Sequence, residues 1–197
     1  MLSKLQFLVE GFFQSLSRLF HRAGLSPNSV TVIGFLLSLA VAALYWGGLS
    51  SWEWIAAILL LVVASFLDAV DGAMARKYAE VSKFGGILDS VLDRIVEIAL
   101  YAGLVAGSLV QLWIGVWAMS ASLMVSYVRA RVSVEGVTLK GVGIAERPER
   151  MLILIVATIL SPLSSNILAG GVLLIAVLSS ITVVSRVYRA FVVLSRS

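Results

Sequence analysis

Four aspartates lie inside stretches of sequence otherwise apolar enough to be membrane helices. Asp68 and Asp71 occur in ILLLVVASFLDAVDGAMARKYAE, and Asp89 and Asp93 in FGGILDSVLDRIVEIALYAGL. A carboxylate in a bilayer-spanning segment costs about 3 kcal/mol or more unless it is solvated, paired or bound to a cation. Residues three or four apart on a helix share a face, so each pair points one way. A chain carrying four such acids has to fold so that they share one polar site sheltered from lipid.

The rest of the composition narrows what that site can be. The chain has 197 residues, of which 60% are hydrophobic and only 13% charged. A soluble domain of this length could not cover that much apolar surface, so the sequence predicts an integral membrane protein built as one bundle. There is no cysteine, which excludes disulfides and thiolate metal sites, and the single histidine, His21, excludes a multi-histidine zinc site. A bound metal would therefore be held by oxygen, which points to a hard cation such as magnesium or manganese. The net charge of +4 is not gathered into a basic groove with interleaved aromatics, so no nucleic-acid partner is expected.

Residues 1–24 read as an amphipathic helix rather than a signal peptide. Leu5, Leu8, Val9, Phe12, Phe13, Leu16, Leu19 and Phe20 form one stripe, opposed by Lys4, Gln6, Glu10, Gln14, Ser17 and Arg18. Such a helix can lie in the membrane interface or pack on the bundle. Ser26-Pro27-Asn28 then opens a new helix, because proline suits the first turn. Six apolar spans follow, near 28–47, 53–77, 84–107, 109–132, 148–163 and 167–190, each close to the ~20 residues needed to cross the hydrocarbon core. The expected fold is thus all-α: six transmembrane helices over residues 25–197, preceded by the interfacial helix.

Charge sets the orientation. Lys and Arg cluster before the first span, in the second-to-third loop (Arg76, Lys77, Lys83), in the fourth-to-fifth loop (Arg129, Arg131, Lys140, Arg147, Arg150) and at the C-terminal end (Arg186, Arg189, Arg196), while the three other loops have none. The positive-inside rule then places both termini and the basic loops in the cytoplasm. Asp68 lies about 13 Å from the cytoplasmic end of its helix at ~1.5 Å per residue. The next helix returns after a short basic loop, so all four acids share one cavity open to the cytoplasm. One or two divalent cations would relieve their repulsion, and a metal site clamping a phosphoryl group is the natural use. Gly72, Gly85 and Gly86, with Ala73 and Ala75, clear side-chain bulk beside the acids, and Arg76 sits one turn from Gly72, within reach of a phosphate. Taken alone, intramembrane acids would also suit a cation transporter, and that reading stays open on the residues themselves.

The run Asp68-Ala-Val-Asp71-Gly72-Ala-Met-Ala75-Arg76, then eight residues to Gly85, three to Asp89 and three to Asp93, resembles the signature of the CDP-alcohol phosphotransferase family. That pattern is D-x-x-D-G-x-x-A-R-x8-G-x3-D-x3-D, and all eight fixed positions match across 26 residues. The resemblance implies a membrane enzyme that transfers a phosphatidyl-type group from a CDP-linked lipid to an alcohol and releases CMP. It implies two magnesium or manganese ions among Asp68, Asp71, Asp89 and Asp93, with Asp93 as the base that takes the acceptor hydroxyl proton. It further implies that Thr31, Gly34, Asp68, Gly72, Ala75, Arg76, Ser82 and Gly85 bind the CDP-lipid. A homodimer is usual for the family, and with the charge pattern the expected location is the cell membrane with the active site facing the cytoplasm.

The acceptor is read from the fourth-to-fifth loop. Five basic residues there exceed what orientation needs, and Arg147 and Arg150 flank Pro148 at a helix N-terminus, which favours anions. Arginine offers a fork of donors to a phosphate. The stretch Gly143–Arg150, with Asp89–Arg94, resembles the phosphatidylinositol-phosphate and archaetidylinositol-phosphate synthases within the family, which implies inositol 1-phosphate as acceptor. By that resemblance Arg129, Lys140, Arg147, Arg150 and Arg189 would bind its phosphate. Glycerol 3-phosphate is the main rival acceptor; Ser90, where that branch more often has proline, counts against it. Diacyl (ester) and diether lipid donors are not separated by the sequence. Glu97, one turn beyond Asp93, is expected to pair locally with Arg94 rather than to act in catalysis.

Overall fold

The computed structural model describes residues 15–139 and 141–195, and among these the chain is helical with no strand. Residues 15–22 are helical and are labelled α1. There follow α2 (Pro27–Trp46), α3 (Ser51–Lys77), α4 (Lys83–Ala106), α5 (Leu112–Val134), α6 (Arg147–Leu160) and α7 (Ser165–Leu194), with a 3-10 turn at Ser161–Leu163 between the last two. The stripe expected over 1–24 lies mostly outside the described residues, and so does Lys140. What is described of α1 is docked on the bundle: Phe20 packs against the cluster of Val30, Leu67 and Met74, and the His21 ring stacks on Tyr78 at 3.8 Å between centroids.

The helix starts follow local chemistry. Ser26 accepts a hydrogen bond from the Ser29 amide, and Pro27 supplies the first turn of α2. Ser82 caps α4 by accepting from the Gly85 amide at 2.9 Å. Glu53 reaches back to the Ser50 amide at 2.8 Å at the start of α3. The six spans read from sequence correspond to α2–α7 within a few residues at each end.

Four of these helices, α2, α3, α5 and α7, are long and apolar enough to cross a membrane, and the chain is a membrane protein. By length and composition α4 and α6 do not qualify. The first carries Asp89, Asp93, Arg94 and Glu97, and the second has only 14 residues before Pro162 and the 3-10 turn take over. Apolar side chains such as Leu36, Leu59, Leu152 and Val184 are exposed around the bundle, and Trp46, Trp52 and Trp113 are exposed at the end that lacks Lys and Arg. That distribution is the one a bilayer and its interface select.

α2 is the spine of one half. It packs against both α3 and α4, while α5 and α6 pack against α7; α4 meets α5 and α3 meets α6. The core between the halves holds Val41, Tyr45, Leu61, Leu100, Leu104, Ile114, Leu154, Val172 and Ile175. Two polar ties cross it: Tyr45 and Thr158 share a hydroxyl hydrogen bond of 2.6 Å, and the Trp54 indole donates to the Thr158 carbonyl at 2.7 Å. The α2–α4 contact depends on Gly103, where any Cβ would run into the backbone of Ala42. Gly103→Leu is therefore expected to cost about 1–3 kcal/mol, read as a lower unfolding midpoint in detergent; an unchanged midpoint would contradict this packing.

Candidate active site

Because α3 and α4 both lean on α2, a cleft opens between their basic ends, and the four aspartates look into it. Carboxylate oxygens of Asp68, Asp71 and Asp89 all lie within 4.8 Å of one another. Asp71 is buried, and Thr31 of α2 donates its hydroxyl to Asp71 Oδ2 at 2.5 Å, which fixes that carboxylate. Asp93 stands apart from this trio, one turn further along α4 from Asp89. It faces two guanidinium groups: Arg147 Nη2 is 2.8 Å from its Oδ1, and Arg94 Nη1 is 3.3 Å from its Oδ2. Arg147 Nη1 also reaches Asp68 Oδ1 at 2.6 Å. Arg147 thus ties α6 to both acidic helices.

The donor set tests whether a metal fits. Asp68, Asp71 and Asp89 offer oxygen alone, packed closely enough to share one hard divalent cation, and three close carboxylates repel one another without a countercharge. The residues fit such an ion.

Three cavities converge on the acids. The first, of about 230 Å³, is lined by Asn28, Asp71, Gly72, Arg76, Gly85 and Asp89, with Ser82 at its rim. Gly85 is needed there because a Cβ would come within 2.9 Å of both Asn28 Oδ1 and Ser82 Oγ. The second, of about 350 Å³, runs inward past Gly34, Asp68 and Asp93 between α2, α3, α4 and α6, and its walls are apolar: Phe35, Leu61, Val96, Met151, Leu152 and Ile155. The third, of about 760 Å³, opens between α4, α5 and the start of α6, and holds Asp89, Asp93, Arg94, Arg129 and Arg147. Ser126 holds Arg94 there with a 2.9 Å bond from Nη2.

The structure brings together the residues expected to bind the CDP-lipid: Thr31, Gly72, Ala75, Arg76, Ser82 and Gly85 line the first cavity, while Gly34 and Asp68 line the second. The basic set divides. Arg129 and Arg147 line the third cavity, whereas Arg189 is exposed on α7 away from its lining. Arg150, expected to face the acceptor, lies in the interior instead. It is 1% exposed, its guanidinium is paired with Glu97 Oε1, and it donates to the Ala145 carbonyl at 2.8 Å. This also corrects the local pairing of Glu97 with Arg94, which instead bonds the Ser90 carbonyl, Asp93 and Ser126. A buried charge needs its partner at contact distance, and Arg150 is the cation packed beside Glu97.

Some residues of the site were not anticipated. Asn28 reaches the first cavity from the opening turn of α2, and Arg186 of α7 is buried against the α5–α6 loop, bonded to Glu146, Val125 and Val142. Their signal was present in part, since a charge within an apolar helix, as at Glu97 or Arg186, calls for a partner. The partner itself was not readable.

The profile of the CDP-alcohol phosphatidyltransferase family matches residues 25–185, and the chain belongs to that family. The archaetidylinositol phosphate synthase of Pyrococcus horikoshii is 38% identical over 195 residues, covering 96% of both chains. The phosphatidylinositol phosphate synthase of Mycobacterium tuberculosis is 30% identical over 214 residues, covering 95% of this chain and 91% of that one. A crystal structure of the M. tuberculosis enzyme with CDP-DAG bound matches with a TM-score of 0.79 at 29% identity, over 91% of this chain and 93% of that chain. Another, in complex with manganese and citrate, matches with the same score over 91% and 88%. Membership makes the chain a phosphatidyltransferase and retires the transporter reading.

Proposed function

We propose that this enzyme transfers a diacyl- or diether-glycerol phosphate group from a CDP-lipid to inositol 1-phosphate and releases CMP. The observation that carries the reading is the convergence of the three cavities on Asp68, Asp71, Asp89 and Asp93. Each cavity suits one part of the reaction. The glycine-lined first cavity, with Arg76, suits the cytidine diphosphate. The apolar second cavity suits the lipid. The third, carrying Arg94, Arg129 and Arg147 beside Asp93, suits a phosphorylated acceptor, since arginine binds phosphate through paired donors.

The residues then have definite work. Arg76 and the amides near Gly85 hold the donor so that its lipid-bearing phosphorus lies over the acids. Arg129 and Arg147 hold the acceptor phosphate and turn a ring hydroxyl toward that phosphorus. Asp93 accepts the hydroxyl proton as the acceptor oxygen bonds to phosphorus; the bond from that phosphorus to the bridging oxygen breaks, and the oxygen departs with CMP. Asp68, Asp71, Asp89 and Asp93 would hold magnesium or manganese, two ions in this reading, and such ions neutralise diphosphate charge and polarise the attacked phosphorus when bound. Basic residues at one end of all the helices support six spans with the active site on the cytoplasmic face of the cell membrane.

Gly85→Ala is expected to raise KM for the CDP-lipid, because the added methyl crowds Asn28 and Ser82; about 1–3 kcal/mol of crowding is roughly five- to 150-fold in binding. An unchanged donor KM would remove Gly85 from the donor site. The acceptor is tested by CMP release from purified enzyme, CDP-lipid and magnesium with inositol 1-phosphate, glycerol 3-phosphate or free inositol. Release with inositol 1-phosphate alone is expected; release with glycerol 3-phosphate would sink the acceptor reading and leave the phosphotransferase intact.

A further inference from the structure

We infer that Thr182 of α7, outside all three cavities, is a positioning residue for the acceptor site; this rests on the reading that the third cavity binds the acceptor. Thr182 is fully buried. Its hydroxyl makes three hydrogen bonds: it donates to the Leu178 carbonyl at 2.8 Å and accepts from the Ile144 and Ala145 amides at 3.2 and 3.1 Å. A hydroxyl has one proton and two acceptor sites, so all its capacity is used. Both amides belong to the segment that leads directly into α6.

Neighbouring contacts lock the same segment. Gly143 has a φ of +110°, and a Cβ there would overlap the Thr182 methyl group. Only glycine therefore fits against Thr182 at this point. Arg186, one turn along α7, donates to the Val142 carbonyl at 2.9 Å and to Glu146 Oε1 at 2.7 Å. The Ala145 carbonyl takes Arg150, which pairs with Glu97. Arg147 follows this fixed segment and spans Asp68 and Asp93. α7 thus sets the aim of a guanidinium that it does not touch.

The test compares Thr182→Val, which keeps shape and loses the hydroxyl, with Thr182→Ser, which keeps the hydroxyl. Two buried amides left without an acceptor would release the segment. Thr182→Val is expected to raise KM for the phosphorylated acceptor roughly tenfold or more, a change of about 1.4 kcal/mol, with a clearly smaller rise in the CDP-lipid KM, since Arg147 also touches Asp68. Thr182→Ser should restore the wild-type acceptor KM. The assay uses whichever phosphorylated acceptor the wild-type enzyme turns over, so an error about inositol does not blur the comparison. An equal rise in both KM values, or no rise in either, would overturn the inference. If Thr182→Val fails to fold, amide hydrogen exchange of residues 143–147 decides it: Thr182→Ser should protect them as wild type does and Thr182→Ala should not, and equal protection in both would overturn it.

Discussion

Asp93→Asn is expected to reduce CMP release about 10²- to 10⁴-fold while the protein keeps its elution profile and its unfolding midpoint within a few degrees. The substitution keeps the size of the side chain and removes the group that can accept a proton. Asp93 is well placed for that task. It stands outside the carboxylate trio, on the wall shared by the apolar cavity and the basic one, where an acceptor hydroxyl would meet the lipid-bearing phosphorus. Arg94 and Arg147 hold both of its oxygens in register. Since Arg147 loses one ionic partner in the variant, acceptor KM should rise as well as kcat fall. Turnover near the wild-type rate from folded Asp93→Asn would end its assignment as the base.

Stripping divalent cations should have an effect of similar size. Asp68, Asp71 and Asp89 converge within 4.8 Å, too close for three carboxylates to sit comfortably without added positive charge. EDTA is expected to bring CMP release down by at least ~100-fold, equivalent to about 3 kcal/mol of lost charge stabilisation, and magnesium or manganese to restore it. In Asp71→Asn the same additions should fail to restore activity. That side chain is buried and fixed by Thr31, and its loss leaves the cluster one carboxylate short of its three oxygen donors. Full activity in EDTA would remove the metal from the account.

Where the chain's structure is set by neighbours in sequence, the sequence could be read closely. Ser26-Pro27 and Ser82 mark helix starts because capping is local, and Asp68 with Asp71, or Asp89 with Asp93, share a face because helical spacing dictates it. The glycines and Arg76 beside the acids followed from the same periodicity. What could not be read was pairing across long separations. Glu97 and Arg150 are 53 residues apart, and Arg186 and Glu146 are 40 apart. Nothing local tells Glu97 to prefer Arg150 over its near neighbour Arg94. The two arginines flanking Pro148 look equivalent in sequence and share a face of α6, yet one turn of depth separates their partners: Arg147 meets Asp68 and Asp93, and Arg150 meets Glu97 in the core. α4 and α6 illustrate a second limit. Their apolar stretches read as spans by approximate length, whereas charge in one and shortness in the other set them apart from the four plainly apolar helices. The close approach of α4 to α2, which helps open the cleft, likewise depends on packing at Gly103 and Gly107 that periodicity alone does not reveal.

The most direct test of a site that joins a CDP-lipid to a phosphorylated inositol is the mass of the lipid product. Purified enzyme, CDP-lipid, magnesium and inositol 1-phosphate carrying a heavy-isotope ring should yield a lipid that contains the labelled ring, both phosphates and the intact lipid chains, in equal amount with CMP. CMP formed without any labelled lipid, or a lipid product lacking the acceptor's phosphate, would contradict the account.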